Sequence, residues 1–262
     1  MKRPYNQYTI LFLLVFALHL DLWAQIKGQE YYLIKIYHLK DKTQEGRVDA
    51  FLKDAWIPTL HRAGVKNIGV FKPLETDSLS GKRIVVLLPF KSIALYAEVP
   101  DLIMVDKQFN ADGKDYLDAA YNEAPYERME NILLRNFKGA PQLQVPALSG
   151  PRSERIYELR SYESATEKIY RNKVKMFIDG DEVGLFKRLG FNAVFYADVL
   201  AGSHMPNLMY MTTFANQTSH DEHWKAFGED PQWKKLSTMP EYQHNVSKNT
   251  KYLLRPTEYS DY

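Results

Sequence analysis

The stretch "RIYELRSY", residues 155–162, places Glu158, Arg160 and Tyr162 at alternate positions. A strand projects alternate side chains to one face, so a carboxylate, a guanidinium and a phenol would stand in a row. A carboxylate held by a guanidinium can move a proton without any cofactor. Glu158 and Arg160 are therefore the candidate catalytic pair. Tyr162, and Tyr210 on "NLMYMTTF" (residues 207–214), are candidate binding residues beside it. The competing structural reading is an ion pair that serves only to tie strands together. Alternation further predicts that Tyr157 and Leu159 pack under helices, with Glu158, Arg160 and Tyr162 on the opposite face.

The histidines supply a second set. His204 sits in "AGSHMPNLMYM", where Gly202 and Pro206 are turn residues, and a loop imidazole titrates near neutrality. His220 and His223 in "SHDEHW" lie one helical turn apart. Two histidines without a third ligand make a poor metal site, so no metal is expected. His204 and His223 remain candidate binding residues. Haem would need an axial ligand; His204, His223 and Met211 are available, but no spacing selects one. The sequence has no cysteine, no glycine-rich phosphate loop and no G-x-S-x-G elbow. Thiol chemistry, disulfides and cysteine-bound metals are excluded, and no cofactor is expected.

The elements that must carry these residues repeat. "YLIKIY" (32–37) matches "YELRSY" (157–162), Arg62-Ala63-Gly64-Val65 matches Arg188-Leu189-Gly190-Phe191, and "RIVVLLPF" matches "NLMYMTTF". Leu133-Leu134-Arg135 matches Leu253-Leu254-Arg255 in the same order. Each half reads strand, broken helix, two strands, helix, strand. Pro58 suits a helix start, the Asp-Gly-Asp at 179–181 interrupts the second helix, and Gly64 and Gly190 suit C-caps. Ser219 followed by Glu222 reads as a capping box. The order β-α-β-β-α-β is the ferredoxin-like unit, whose sheet has one bare face. The expected fold class is α+β: two tandem ferredoxin-like modules facing each other as an α+β barrel, at residues 29–138 and 154–262. Residues 139–153, rich in proline and glycine, read as the linker. The halves differ where chemistry would sit. Glu158 and Arg160 correspond to Leu33 and Lys35, and Tyr210 and Thr212 to Val86 and Leu88.

Residues 1–24 begin with Lys2 and Arg3, continue as an apolar run from Ile10 to Leu18 and reach the small Ala24. That layout is a cleaved signal peptide, with a run too short for a stable membrane span, so a secreted or periplasmic protein is expected. The formal charge of +2 over 262 residues gives no case for nucleic-acid binding.

"FKRLGFNAVFYADVLAGSHMPNLMYMTTF", "DEHWKAFGEDPQWKKL", "PEYQHNVSKN" and "LLRPTEYSDY" together resemble the NIPSNAP family. "DAFLKDAWIPTLHRAGVKNIGVFKP" resembles the N-terminal module of its tandem bacterial members. The resemblance implies the dimeric α+β barrel fold, shared with antibiotic-biosynthesis monooxygenases and chlorite-dismutase-like haem proteins, and implies no activity. A small molecule bound in a barrel cavity of the C-terminal half, possible homo-oligomers, and, as the alternative, a non-catalytic protein-interaction module complete the expectations.

Overall fold

A computed structural model describes residues 29–262; the expected signal peptide lies outside the described residues. Eight strands form one closed sheet. They are β1 (Tyr31–His38), β2 (Gly69–Pro73), β3 (Arg83–Phe90), β4 (Arg128–Asn136), β5 (Ile156–Glu163), β6 (Phe195–Ala201), β7 (Asn207–Phe214) and β8 (Lys248–Pro256). Around the barrel the order is β1-β3-β2-β8-β5-β7-β6-β4. The first four strands make one arc, β4-β1-β3-β2, and the last four the other, β8-β5-β7-β6. The arcs meet edge to edge. Phe71 pairs with Pro256 on one seam, and Leu134 with Val199 on the other, both antiparallel. Among the described residues closure leaves no open edge to the sheet.

The helices begin and end where local chemistry dictates. Helix α1 (Lys42–Ala50) is capped by Asp41, whose carboxylate accepts from the amides of Thr43 and Gln44. The expected break is a π-helical turn, Phe51–Trp56, leading into α2 (Ile57–Arg62) with Pro58 in its first turn. Helix α2 ends at Gly64, at φ 87°. Helices α3 (Ile93–Met104), α4 (Lys107–Asp112) and α5 (Lys114–Leu117) follow β3. In the second half, Asp181 at φ 59° separates α6 (Glu167–Ile178) from α7 (Glu182–Arg188). Helix α8 (Gln217–Glu229) is capped by Asn216, whose side chain accepts from the Ser219 amide at 2.9 Å. The expected Ser219–Glu222 box is therefore displaced: Asn216 takes the cap, and Ser219 lies one turn inside. Helix α9 (Pro231–Thr238) starts on an Asp230 cap.

Apolar side chains sort into layers. Inside the barrel lie Tyr32, Ile34, Phe71, Leu87, Tyr157, Leu159, Phe195 and Met211. Rings from the two arcs meet there beside the seams, Tyr32 with Phe195 at 5.2 Å and Phe71 with Tyr157 at 4.9 Å. Outside, one layer packs β1 and β3 against α1–α4, and another packs β5–β7 against α6–α8. This corrects the expected orientation of β5. Tyr157 and Leu159 fill the interior, while Glu158, Arg160 and Tyr162 lie on the outer face, where Glu158 meets α8. The reason is that both faces of the strand are dry. A period of two sorts residues into two sets but does not say which set faces the axis.

Candidate functional site

Strand β5 and helix α8 assemble a buried polar cluster. The Glu158 side chain is fully buried. Its Oε1 accepts from Arg160 Nε at 2.8 Å and lies 2.8 Å from Arg160 Nη2. Its Oε2 accepts from Trp224 Nε1 at 2.5 Å and faces His220 Nε2 at 3.1 Å. Arg160 Nη1 donates to the Tyr162 hydroxyl at 3.1 Å, and Tyr162 shares a hydrogen bond of 2.9 Å with Tyr210. The guanidinium also lies 3.7 Å from the centre of the Trp224 ring. Strand alternation supplies Glu158, Arg160 and Tyr162, and the β5–β7 register sets Tyr210 opposite Arg160.

Electrostatics fix the charges. Burial disfavours an ionised Glu158, but the His220 hydrogen bond and the Arg160 charge outweigh it, so its pKa falls below the usual value. Burial likewise disfavours protonated His220. Hydrogen bonds to Glu158 and Asp221 prevail, and its pKa is raised. Tyr210 is pushed well above its usual range by burial and by Tyr162. A carboxylate with four donors and no exposed edge is better suited to holding Arg160 and His220 in place than to taking up a proton.

A pH dependence follows. The raised His220 pKa contributes stability that is full below about pH 6.5 and fades as pH rises through the folded value. The depressed Glu158 pKa contributes stability that is full above about pH 4.3 and fades as pH falls through its folded value. His220→Leu should therefore lower the urea midpoint more at about pH 6 than at about pH 9. An equal loss at both values would remove the charged contact from the account.

Four of the six residues singled out in the sequence, Glu158, Arg160, Tyr162 and Tyr210, converge. His204 and His223 do not join them. His204 is an exposed hairpin residue at φ 63°, with Nδ1 3.6 Å from Glu163. His223 turns its Nδ1 to the Ser219 carbonyl at 2.6 Å and packs against Phe191 and Phe214. His220, weighed in the sequence only as a metal ligand, and Trp224 take those places instead. They lie four apart on one helix, a spacing that puts both on one face, and that was the available signal. Among the described residues no group of three or more histidine or acidic side chains could hold a metal. The three axial candidates for a haem lie in different places. Met211 faces the barrel interior, His223 lies on the helix side and His204 is at a hairpin tip.

The corresponding place in the first half is built differently. Where β5 has Glu158 and Arg160, β1 has Leu33 and Lys35, and the space above them is open. A cavity of about 460 Å³ lies between β1, β3 and helices α2–α4, lined by Leu33, Trp56, Leu88, Phe90, Ile103 and Phe109 among others. In the second half Trp224 lies over Arg160, and Phe186, Phe191 and Phe227 pack around it.

The closed eight-stranded barrel with outer helices belongs to the α+β barrel class. A protein proposed to be a monooxygenase from Lactobacillus acidophilus NCFM has this fold, at TM-score 0.58 and 10% identity, over 87% of this chain and 94% of that one. So does an anthrone oxidase-like protein, at TM-score 0.53 and 8% identity, over 88% and 93%. A NIPSNAP family protein from Agrobacterium tumefaciens is 18% identical over 41% of this chain and 97% of that one, at TM-score 0.36. The NIPSNAP family model matches residues 157–261. The match to the NIPSNAP family thus lies in the C-terminal half of the chain. None of the curated proteins matches the sequence. Among the described residues no helix is long and apolar enough to cross a membrane.

Proposed function

We propose that the protein binds an apolar small molecule in the cleft between sheet and helices of its N-terminal half. The cavity under α3 carries this reading, because about 460 Å³ of space lined mainly by aromatic and aliphatic side chains falls within the usual range for ligand pockets. The corresponding space of the C-terminal half is occupied by its own aromatic side chains. We further propose that the chain is an exported protein built from two tandem ferredoxin-like modules, residues 29–138 and 154–262. The strand order of the two arcs and the basic, apolar, small layout of residues 1–24 support this.

Ala97 lines the cavity and is exposed, so a larger side chain there fills space without opening the core. The neutral dye Nile red should brighten on binding the wild type. Ala97→Trp should weaken that binding about tenfold, a change of about 1.4 kcal/mol. Unchanged dye binding by this variant would place the site elsewhere.

A second reading keeps chemistry in the C-terminal half. The His220 side chain is 12% exposed while its partner Glu158 is fully buried, so the imidazole links the buried cluster to solvent. In that reading Glu158 and Arg160 set the protonation of His220, and Tyr162 and Tyr210 extend the hydrogen-bonded chain inward.

A further inference from the structure

Among the described residues Lys35 is a buried cation without an anion. It projects from the outer face of β1, is 7% exposed and lines the apolar cavity. Its Nζ lies 2.8 Å from the Met129 sulfur, a weak acceptor, and 5.6 Å from the centre of the Trp56 ring. Burial is the sole influence lowering its pKa, to about 8; among the described residues no carboxylate offsets the loss of water. This differs from the other buried cations. Arg160 is paired with Glu158, and Lys173 with Glu182 at 2.9 Å. An unpaired buried ammonium is costly and persists where something else uses it.

We infer that Lys35 receives the head group of the ligand, and that the ligand is an apolar monocarboxylate: a carboxylate against the ammonium with a hydrocarbon body along Leu33, Leu88, Phe90 and Ile103. The inference rests on the cavity being the binding site. The chemistry of the lining sets the class. Among the described lining residues Lys35 alone is charged, and the polar remainder is Tyr96, Asn131 and the indole N–H of Trp56. One cation matches one negative charge. A phosphate dianion would bring a second charge into an apolar cleft with nothing to neutralise it. The carboxylate would complete a charge-assisted hydrogen bond of the kind that Glu158 makes to Arg160.

Dodecanoate and dodecanol have matched tails and different heads, and their binding can be followed by calorimetry. The wild type should bind dodecanoate at least about tenfold more tightly than dodecanol, in line with a hydrogen bond between charged groups. Lys35→Met should remove that preference while keeping dodecanol binding. The variant should also fold with undiminished stability, because it removes an unpaired buried charge and keeps an apolar chain of similar length. Equal affinity of the wild type for both probes would overturn the role of Lys35 while leaving the pocket in place. Binding of neither probe would overturn both. Retention of the carboxylate preference by Lys35→Met would also overturn it.

Discussion

Glu158→Ala is expected to cost about 3 to 5 kcal/mol of folding stability, the range for breaking a buried ion pair by removing one partner. The substitution leaves Arg160, whose side chain is 13% exposed, without its carboxylate. It also strands the indole N–H of Trp224 and one side of His220. For a domain of this size each kcal/mol lowers Tm by roughly 2 to 4 °C, so a fall of about 6 to 20 °C is expected by calorimetry. Glu158→Gln should cost less, because an amide oxygen still accepts from Arg160. Replacing both charges, as in Glu158→Leu with Arg160→Met, should recover much of the loss, since a well-packed apolar pair avoids burying charge. A single-variant loss below about 1 kcal/mol would mean that water reaches the cluster and screens it.

Phe186→Ala is expected to be comparably damaging, at about 3 to 5 kcal/mol, the usual cost of truncating a core aromatic. Phe186, on α7, is 1% exposed. Its ring centre lies 4.8 Å from that of Phe191, 5.0 Å from Phe227, 5.7 Å from Tyr210 and 5.9 Å from Trp224. The cavity left would open beside both the cluster and the aromatic wall that fills the second half. The barrel is a single hydrogen-bonded sheet, so the loss should not stay local. Amide exchange in β1 should accelerate together with exchange in β7, as expected when the two halves unfold as one unit. Acceleration confined to β5–β8 would instead show that the halves open independently.

Much of the scaffold was legible because it depends on local chemistry. Tyr31–His38 and Ile156–Glu163 form strands at the expected places, Asp181 breaks the second helix, and Gly64 and Gly190 end helices at positive φ. The grouping of Glu158, Arg160 and Tyr162 was also legible, since alternation fixes which residues of a strand share a face, whereas Tyr210 joins them through the register of β5 with β7. The sequence determined the set, but the tertiary structure decided its surroundings. Tyr157 and Glu158 are both buried, on opposite faces, and only barrel closure settles which face is the interior. His220 rather than His223 reaches Glu158 because packing of Phe227 and Trp224 sets the rotation of α8 about its axis. The open cleft beside Lys35 had no sequence signal at all. A cavity depends on how far a helix stands from a sheet, and that distance is the outcome of every contact in the layer, carried by no single residue or spacing.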